Sequence, residues 1–98
     1  MPTYIGLYRF TDQGIKNVKD SPNRFKDAIK AVESMGGKVM GVYTVMGEYD
    51  IISIGEFPND EAAMTFALAT GARGNVRSTT LKAFTQDEYA AIVKKLPL

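Results

Sequence analysis

The chain has 98 residues, of which 45% are hydrophobic, and a formal net charge of +1. This length fits one domain over residues 1–98, and the near-neutral charge gives no general electrostatic reason to bind nucleic acid or an anionic membrane. Because the chain contains neither cysteine nor histidine, disulfides, thiolate nucleophiles, Cys/His zinc sites and imidazole acid–base catalysis are excluded.

The chain also lacks the patterns that direct a protein into a membrane or out of the cell. No apolar run approaches the roughly 18 residues of a membrane span, and the first ten residues do not form a secretory signal. We therefore expect a cytoplasmic protein with no membrane partner. A domain this small buries only about 60 to 65% of its unfolded surface, so association would stabilise it. We expect a homodimer, and the pattern leaves a higher homo-oligomer open.

The first predicted strand covers residues 3–10, where apolar side chains alternate with a period of two. One face of this strand carries Ile5 and Leu7, and the other carries Tyr4, Tyr8 and Phe10. Residues 11–20 predict a turn and a short helix.

The first long helix is predicted to begin at Ser21-Pro22, with the serine as its N-cap and the proline at its first helical position. Apolar residues then recur at steps of three and four as far as residue 34 or 35. A pair of glycines follows and ends the helix, because glycine adopts the left-handed conformation of a helix C-cap without a steric penalty.

Residues 38–46 and 49–57 are rich in valine, isoleucine and tyrosine, which predicts two strands. Gly47-Glu48 between them suits a two-residue type II′ hairpin turn. Both alternating sets of side chains are apolar, which a sheet covered on one face only would not require. In the first of these strands the two sets are Val39, Tyr43 and Val45 on one side and Met40, Val42 and Met46 on the other.

The second half of the chain predicts a helix, a strand and a final helix. Asn59 or Asp60 caps the first helix, with acidic residues in its first turn where the helix dipole favours them. Residues 75–84 form the fourth strand. Thr85 and Glu88 have the spacing of a capping box for the last helix, and a proline ends it.

The order strand, helix, strand, strand, helix, strand, followed by a terminal helix, predicts an α+β fold. It is the ferredoxin-like βαββαβ arrangement, in which an antiparallel four-stranded sheet has both helices on one face. We expect Tyr4, Tyr8 and Phe10 on the open face, where an apolar aromatic surface would pair two copies face to face in a homodimer.

Three blocks of the chain resemble the GYD domain family. They are FTDQGIKNVKDSPNR, GGKVMGVYTVMGEYDIISIGEFPNDEAA and GNVRSTTLKAFT, and the family signature is Gly47-Glu48-Tyr49-Asp50. The similarity extends from Tyr4 to about Tyr89 and implies a ferredoxin-like fold of the dimeric α/β-barrel class. Family members are largely uncharacterised, so the resemblance leaves the activity open. Relatives of the wider fold class that use histidine chemistry are not favoured, because this chain has no histidine.

Four residues are candidates for catalysis: Tyr8, Tyr49, Asp50 and Arg77. A carboxylate beside a phenol can transfer protons, but adjacent residues of a strand point to opposite faces. We therefore interpret Tyr49 mainly as a residue at the rim of the dimer and Asp50 as an acceptor of hydrogen bonds near the turn. Arg77 and Thr79 share one strand face and have the donors to bind a small anion or carbonyl, although exposed strands commonly carry such residues.

The favoured function is a homodimer whose two sheets enclose a mostly apolar cavity for a small organic ligand. We expect the cavity to be lined by Tyr4, Tyr8, Tyr43, Ile51 and Ser53. One alternative is a cofactor-independent monooxygenase or isomerase, in which the cavity pre-organises a reactive substrate. Another is a structural or regulatory assembly module.

No cofactor, metal or nucleic-acid partner is predicted. The carboxylates are not spaced as the ligands of a calcium or two-metal site. RNA-recognition modules share this strand order and stack bases on aromatic side chains of their central strands, which makes Tyr4 and Tyr8 comparable. The basic residue and the spaced aromatics of their longer motif are missing here, and the neutral net charge also argues against nucleic acid.

Overall fold

The computed structural model describes residues 1–98 and confirms the predicted ferredoxin-like α+β fold. The elements in chain order are β1 (Thr3–Phe10), α1 (Asp12–Lys16), a 3-10 turn (Val18–Asp20), α2 (Ser21–Ser34), β2 (Lys38–Thr44), β3 (Ile51–Glu56), α3 (Asp60–Ala72), β4 (Val76–Ala83) and α4 (Gln86–Val93). All strand pairs are antiparallel, and the order across the sheet is β2-β3-β1-β4. The two central strands are therefore β1 and β3.

The strand register divides the sheet into two faces, because residues directly opposite each other in an antiparallel pair point the same way. The face under α2 and α3 carries Tyr4, Gly6, Tyr8, Phe10, Val39, Val42, Ile51, Ser53, Gly55, Val76, Ser78, Thr80 and Lys82. We call the opposite side the open face. It carries Ile5, Leu7, Arg9, Tyr43, Ile52, Ile54, Glu56, Arg77, Thr79, Leu81 and Ala83, with Lys38 at its edge.

The prediction that Tyr4, Tyr8 and Phe10 lie on the open face is wrong, because they lie beneath the helices. Tyr4 is only 6% exposed and packs in the hydrophobic core. Its ring meets that of Phe57 edge to face, with 5.8 Å between the ring centroids. Val32 and Ala63 complete this cluster of four buried residues, and Ile51 and Val76 are also buried. The period-two pattern separated the two faces correctly, but both sets are apolar, so it did not show which face the helices cover.

The loop between β2 and β3 is longer than predicted, because β2 ends at Thr44 and β3 begins at Ile51. Thr44 pairs with Ile51, which is the register that a turn at residues 47–48 requires, but the strands stop there. Gly47 has a positive φ of 124°. Beyond Thr44 the two segments keep one backbone hydrogen bond, from Val45 N to Asp50 O at 2.8 Å, and the tip of the hairpin also contacts β1, where Glu48 pairs with Arg9.

The start of α2 also differs in detail from the prediction. Ser21 is its first residue, and Asp20 holds the N-cap position without a side-chain capping bond. The 3-10 turn runs directly into α2, so Asp20 already has helical backbone angles. The other two caps are as predicted. Asn59 Oδ1 accepts from Ala62 N at 2.9 Å, and Thr85 with Glu88 forms a complete capping box.

Helix α4 projects from the rest of the protein. All of its residues are exposed, including Tyr89, Ile92 and Val93 on its apolar side. The radius of gyration is 15.0 Å, whereas a compact chain of this length has about 13 Å. The molecule is accordingly elongated, with extents of 52 × 30 × 19 Å.

No helix combines the length and the apolar character that crossing a membrane requires. The longest, α2, has 14 residues. The cytoplasmic location stays a prediction.

Candidate ligand cavity

A cavity of about 200 Å³ lies between the sheet and helices α2 and α3. It is mostly apolar, since 18 of the 27 residues that line it are hydrophobic. An apolar cavity of about 150 Å³ in another protein is large enough to bind benzene. This cavity therefore has room for a ligand of about the size of one aromatic ring.

Small residues on both walls create this space. Gly6 and Gly55 lie on the two central strands and face the helices, while Ala28 and Ala69 line the cavity from α2 and α3. A Cβ atom added at Gly6 would lie 2.6 Å from the Tyr8 side chain and 2.7 Å from the Ser53 hydroxyl. Because Gly6 has no side chain, the side chains of Tyr8 and Ser53 can approach each other on the sheet side of the cavity.

Four of the five predicted ligand-binding residues line this cavity: Tyr4, Tyr8, Ile51 and Ser53. The cavity lies beneath the helices, whereas the prediction placed it between two sheets.

Tyr43 does not line this cavity, because this residue is on the open face and is 61% exposed. A β-bulge between Val39 and Gly41 explains the difference. It adds one residue to β2, so the side chains after the bulge point to the face opposite the one that simple alternation assigns. Whether these residues bind a ligand stays a prediction.

The sheet side of the cavity has one hydrogen-bond donor that is not bonded within the protein. Ser53 Oγ and Tyr8 Oη lie 3.3 Å apart and share a hydrogen bond. Each hydroxyl has one proton, so this bond uses the proton of one of the two and leaves the other available to an acceptor on a ligand.

The hydroxyl of Tyr4, in contrast, is committed to the protein. It donates to Asp60 Oδ1 at 2.5 Å, and Lys82 Nζ lies 3.3 Å from the same oxygen. This hydrogen bond, together with burial and the charge of the carboxylate, raises the pKa of Tyr4 to about 12. The hydrogen bond from Tyr4, and then the contact with Lys82, lowers the pKa of Asp60. Tyr4 therefore fixes the start of α3 to the sheet.

This pair predicts a pH dependence of stability that Tyr4→Phe removes. The raised pKa of Tyr4 contributes stability that is complete below about pH 10, and that is lost as the pH rises towards the folded-state pKa of about 12. The lowered pKa of Asp60 contributes stability that is present above about pH 4 and is lost on further acidification. We expect the difference in urea midpoint between the wild type and Tyr4→Phe to be largest near neutral pH and to shrink towards both extremes.

The control for this experiment is Tyr49→Phe, which keeps the ring against Arg9, removes a hydroxyl outside the Tyr4–Asp60 pair, and is expected to leave the midpoint unchanged at neutral pH. A Tyr4→Phe effect of the same size at every pH would contradict the assignment of the Tyr4–Asp60 hydrogen bond.

The Gly47-Glu48-Tyr49-Asp50 signature fastens the hairpin tip to the end of β1. Asp50 Oδ2 accepts from Phe10 N at 2.8 Å, and Asp50 N donates to Tyr8 O at 2.9 Å. Arg9 donates through Nη2 to Glu48 Oε1 at 2.5 Å, and its guanidinium lies 4.7 Å from the centre of the Tyr49 ring. Asp50 forms no ion pair with either Arg9 or Arg77.

Asp50→Ala is expected to reduce the free energy of unfolding by about 1 to 3 kcal/mol, because it leaves the half-buried Phe10 N–H without its charged acceptor. Glu48→Ala is the matched control. It removes an exposed ion pair and is expected to change stability by less than about 1 kcal/mol. Urea denaturation of both variants makes the comparison, and equal effects would show that the Asp50 bond is not the important one.

The structure does not bring the four candidate catalytic residues together. Tyr8 lines the cavity, whereas Tyr49 and Asp50 belong to the hairpin tip. Arg77 lies on the open face, directly opposite Arg9 in the register.

Two further features bear on the alternatives that the sequence raised. Tyr4 and Tyr8 face the helices, so they do not offer the exposed stacking surface that an RNA-recognition module presents. No group of three or more Asp, Glu, His or Cys side chains lies close enough to hold a metal ion.

Among the lining residues that the sequence prediction did not name, Gly6 and Arg24 matter most to the chemistry of the cavity. Gly6 carried a signal, because a glycine inside a strand often marks a close approach of another group. Arg24 carried none. A cationic residue in the first turn of an amphipathic helix is ordinarily solvated, and only the tertiary structure shows that its side chain reaches the cavity.

Comparison with known proteins agrees with this architecture. The family model described as GYD domain matches residues 4–93. The chain belongs to the GYD domain family. One relative, the glutamine synthetase and cystathionine beta-lyase binding protein of Thermus thermophilus, is 30% identical over 95 residues, which cover 96% of this chain and 100% of that protein.

A similar fold is found in a solved structure. A crystal structure of a Thermus thermophilus protein matches with a TM-score of 0.55 at 24% sequence identity, covering 87% of this chain and 95% of the other. At this level of identity the likeness concerns the fold alone.

Proposed function

We propose that this GYD domain protein is a homodimeric binding module that acts by associating with other proteins. The observation that carries the proposal is the open face, which is apolar at its centre although α2 and α3 lie on the other side of the sheet. Leu7, Ile52 and Tyr43 lie side by side there in the register. The charged residues are confined to the strand ends, with Arg9 and Arg77 at one end and Lys38 and Glu56 at the other.

A second copy of the chain is the occupant that fits this face. Four strands of six to eight residues give a projected face of roughly 450 Å², from the usual spacing of strands and of residues along them. A stable interface buries about 800 Å² on each partner. The projected area of the sheet is smaller than this value, and a further element would enlarge the contact.

Helix α4 is the element available to enlarge this contact. Its apolar side, which includes Tyr89, Ile92 and Val93, contacts little of its own chain and lies in a part of the molecule that extends beyond the compact body. If α4 packs on the second copy, both this helix and the open face are buried in one symmetric contact.

The name of the Thermus thermophilus relative supports the second part of the proposal, because that protein is described as binding glutamine synthetase and cystathionine beta-lyase. We infer that enzymes of this kind are partners of this chain. Sedimentation of the purified protein with glutamine synthetase and with cystathionine beta-lyase from the same genome tests this inference. We expect this protein to sediment together with at least one of the two enzymes. Separate sedimentation of this protein from both enzymes would contradict the inference.

A second function, binding of a small organic ligand, is favoured by the cavity beneath the helices. It is mostly apolar, has about the volume of a small ring compound, and contains one unused proton of the Tyr8–Ser53 hydroxyl pair. Native mass spectrometry of the protein purified without denaturation is expected to show a retained small molecule. A bare protein mass in repeated mild preparations would count against this function.

A further inference from the structure

We propose that the cavity binds a small monocarboxylate with an apolar body, and that Arg24 is the residue that holds the carboxylate. The inference rests on the ligand-binding function proposed above and adds the chemical class of the ligand.

Arg24 has a guanidinium nitrogen that lacks a partner within the protein. Its side chain lines the cavity and is 20% exposed. Nη1 donates to Asn17 O at 3.0 Å and lies 4.0 Å from a carboxylate oxygen of Asp20. Nη2, in contrast, is shielded from solvent and makes no hydrogen bond. A buried charged donor without an acceptor is strongly unfavourable, so an acceptor at this position would stabilise the site.

No negatively charged side chain of the cavity lining is present to act as this acceptor. The charged residues that line it are Arg24 and Arg73, both of which are cationic, and no aspartate or glutamate is among the lining residues. Asp20, the nearest carboxylate to Arg24, is largely exposed. Because the charged side chains of the lining are all cationic, the cavity favours an anionic ligand over a cationic one.

The rest of the lining decides which anion fits. Phe10, Phe25 and Ile29 are among the 18 hydrophobic residues around the cavity. A phosphate or a nucleotide would leave much of its charge unpaired against such a surface, whereas a carboxylate has one charge and matches the guanidinium in a bidentate pair. The volume limits the apolar body to about one aromatic ring. The Tyr8–Ser53 hydroxyl pair has one free proton for a second polar atom of the ligand.

Calorimetric titration with phenylacetate and with its neutral amide, phenylacetamide, tests the proposal. We expect the wild type to bind the acid at least about tenfold more tightly than the amide, because hydrogen bonds to charged groups are about twice as strong as neutral ones. Arg24→Met is expected to abolish this preference, and Arg24→Lys to retain part of it, since lysine keeps the charge but not the paired nitrogen atoms.

Lys26→Met is the matched control. It removes one positive charge from an exposed position two residues further along α2, and it is expected to leave the preference for the acid unchanged. Thermal melting of each variant shows whether it is folded under the conditions of the titration.

Equal affinities of the wild type for the acid and the amide would overturn this inference alone, and so would a preference that persists in Arg24→Met. If neither compound binds to the wild type, both this inference and the ligand-binding function are contradicted for ligands of this size.

Discussion

Replacing Ile52 with lysine is expected to convert the proposed homodimer into monomers. Ile52 lies at the centre of the open face, directly between Leu7 on β1 and Tyr43 on β2 in the register. In a symmetric face-to-face dimer each copy would then bury an unpaired ammonium group. An uncompensated buried charge costs about 3 to 5 kcal/mol. Two of them would raise the dissociation constant by about ten-thousandfold or more.

The matched control is Leu68→Lys, which also replaces an apolar residue by lysine. Leu68 is exposed on α3, on the opposite side of the sheet from the open face. We expect this variant to remain dimeric. Sedimentation velocity of the wild type and both variants at one protein concentration makes the comparison. A dimeric Ile52→Lys protein would show that the open face is not the contact between copies.

Replacing Phe57 with alanine is expected to remove a large part of the stability of the fold. Phe57 is buried between the rings of Tyr4 and Phe66, at centroid distances of 5.8 and 5.7 Å. Truncation of a buried phenylalanine costs about 3 to 5 kcal/mol, and the whole free energy of unfolding of a small domain is about 5 to 15 kcal/mol. The effect is large here because few residues of this chain are buried.

Met64→Ala is the control for this loss, since Met64 is a large apolar residue that is exposed on α3. It is expected to change the free energy of unfolding by about 0.5 kcal/mol or less. Urea denaturation of the three proteins should be compared at equal concentration, because the proposed dimerisation would make stability depend on concentration. Similar losses for the two variants would mean that Phe57 is not at the centre of the core.

The fold was predictable from the sequence because local signals agreed with one another. The glycine pair after α2, the Asn59 cap of α3 and the capping box of α4 each mark a helix end through local chemistry. Local information did not show which face of the sheet the helices cover. Ile5 and Leu7 are as apolar as the aromatic set of β1, so only the packing of the helices decides which set is buried.

The candidate site was predictable where strand register alone determines it. Tyr8, Ile51 and Ser53 share the cavity because β1 and β3 pair in a regular antiparallel ladder. Tyr43 was misplaced because one extra residue in β2, which the sequence does not reveal, reverses the alternation after it. Arg24 was missed because its position depends on the carbonyl of Asn17, which the preceding 3-10 turn brings near it.

Sedimentation equilibrium of the wild-type protein tests the pairing of open faces most directly. The chain has a mass of 10.7 kDa, and we predict a species of twice that mass that persists on dilution into the low micromolar range. A single species with the mass of one chain under those conditions would contradict the pairing.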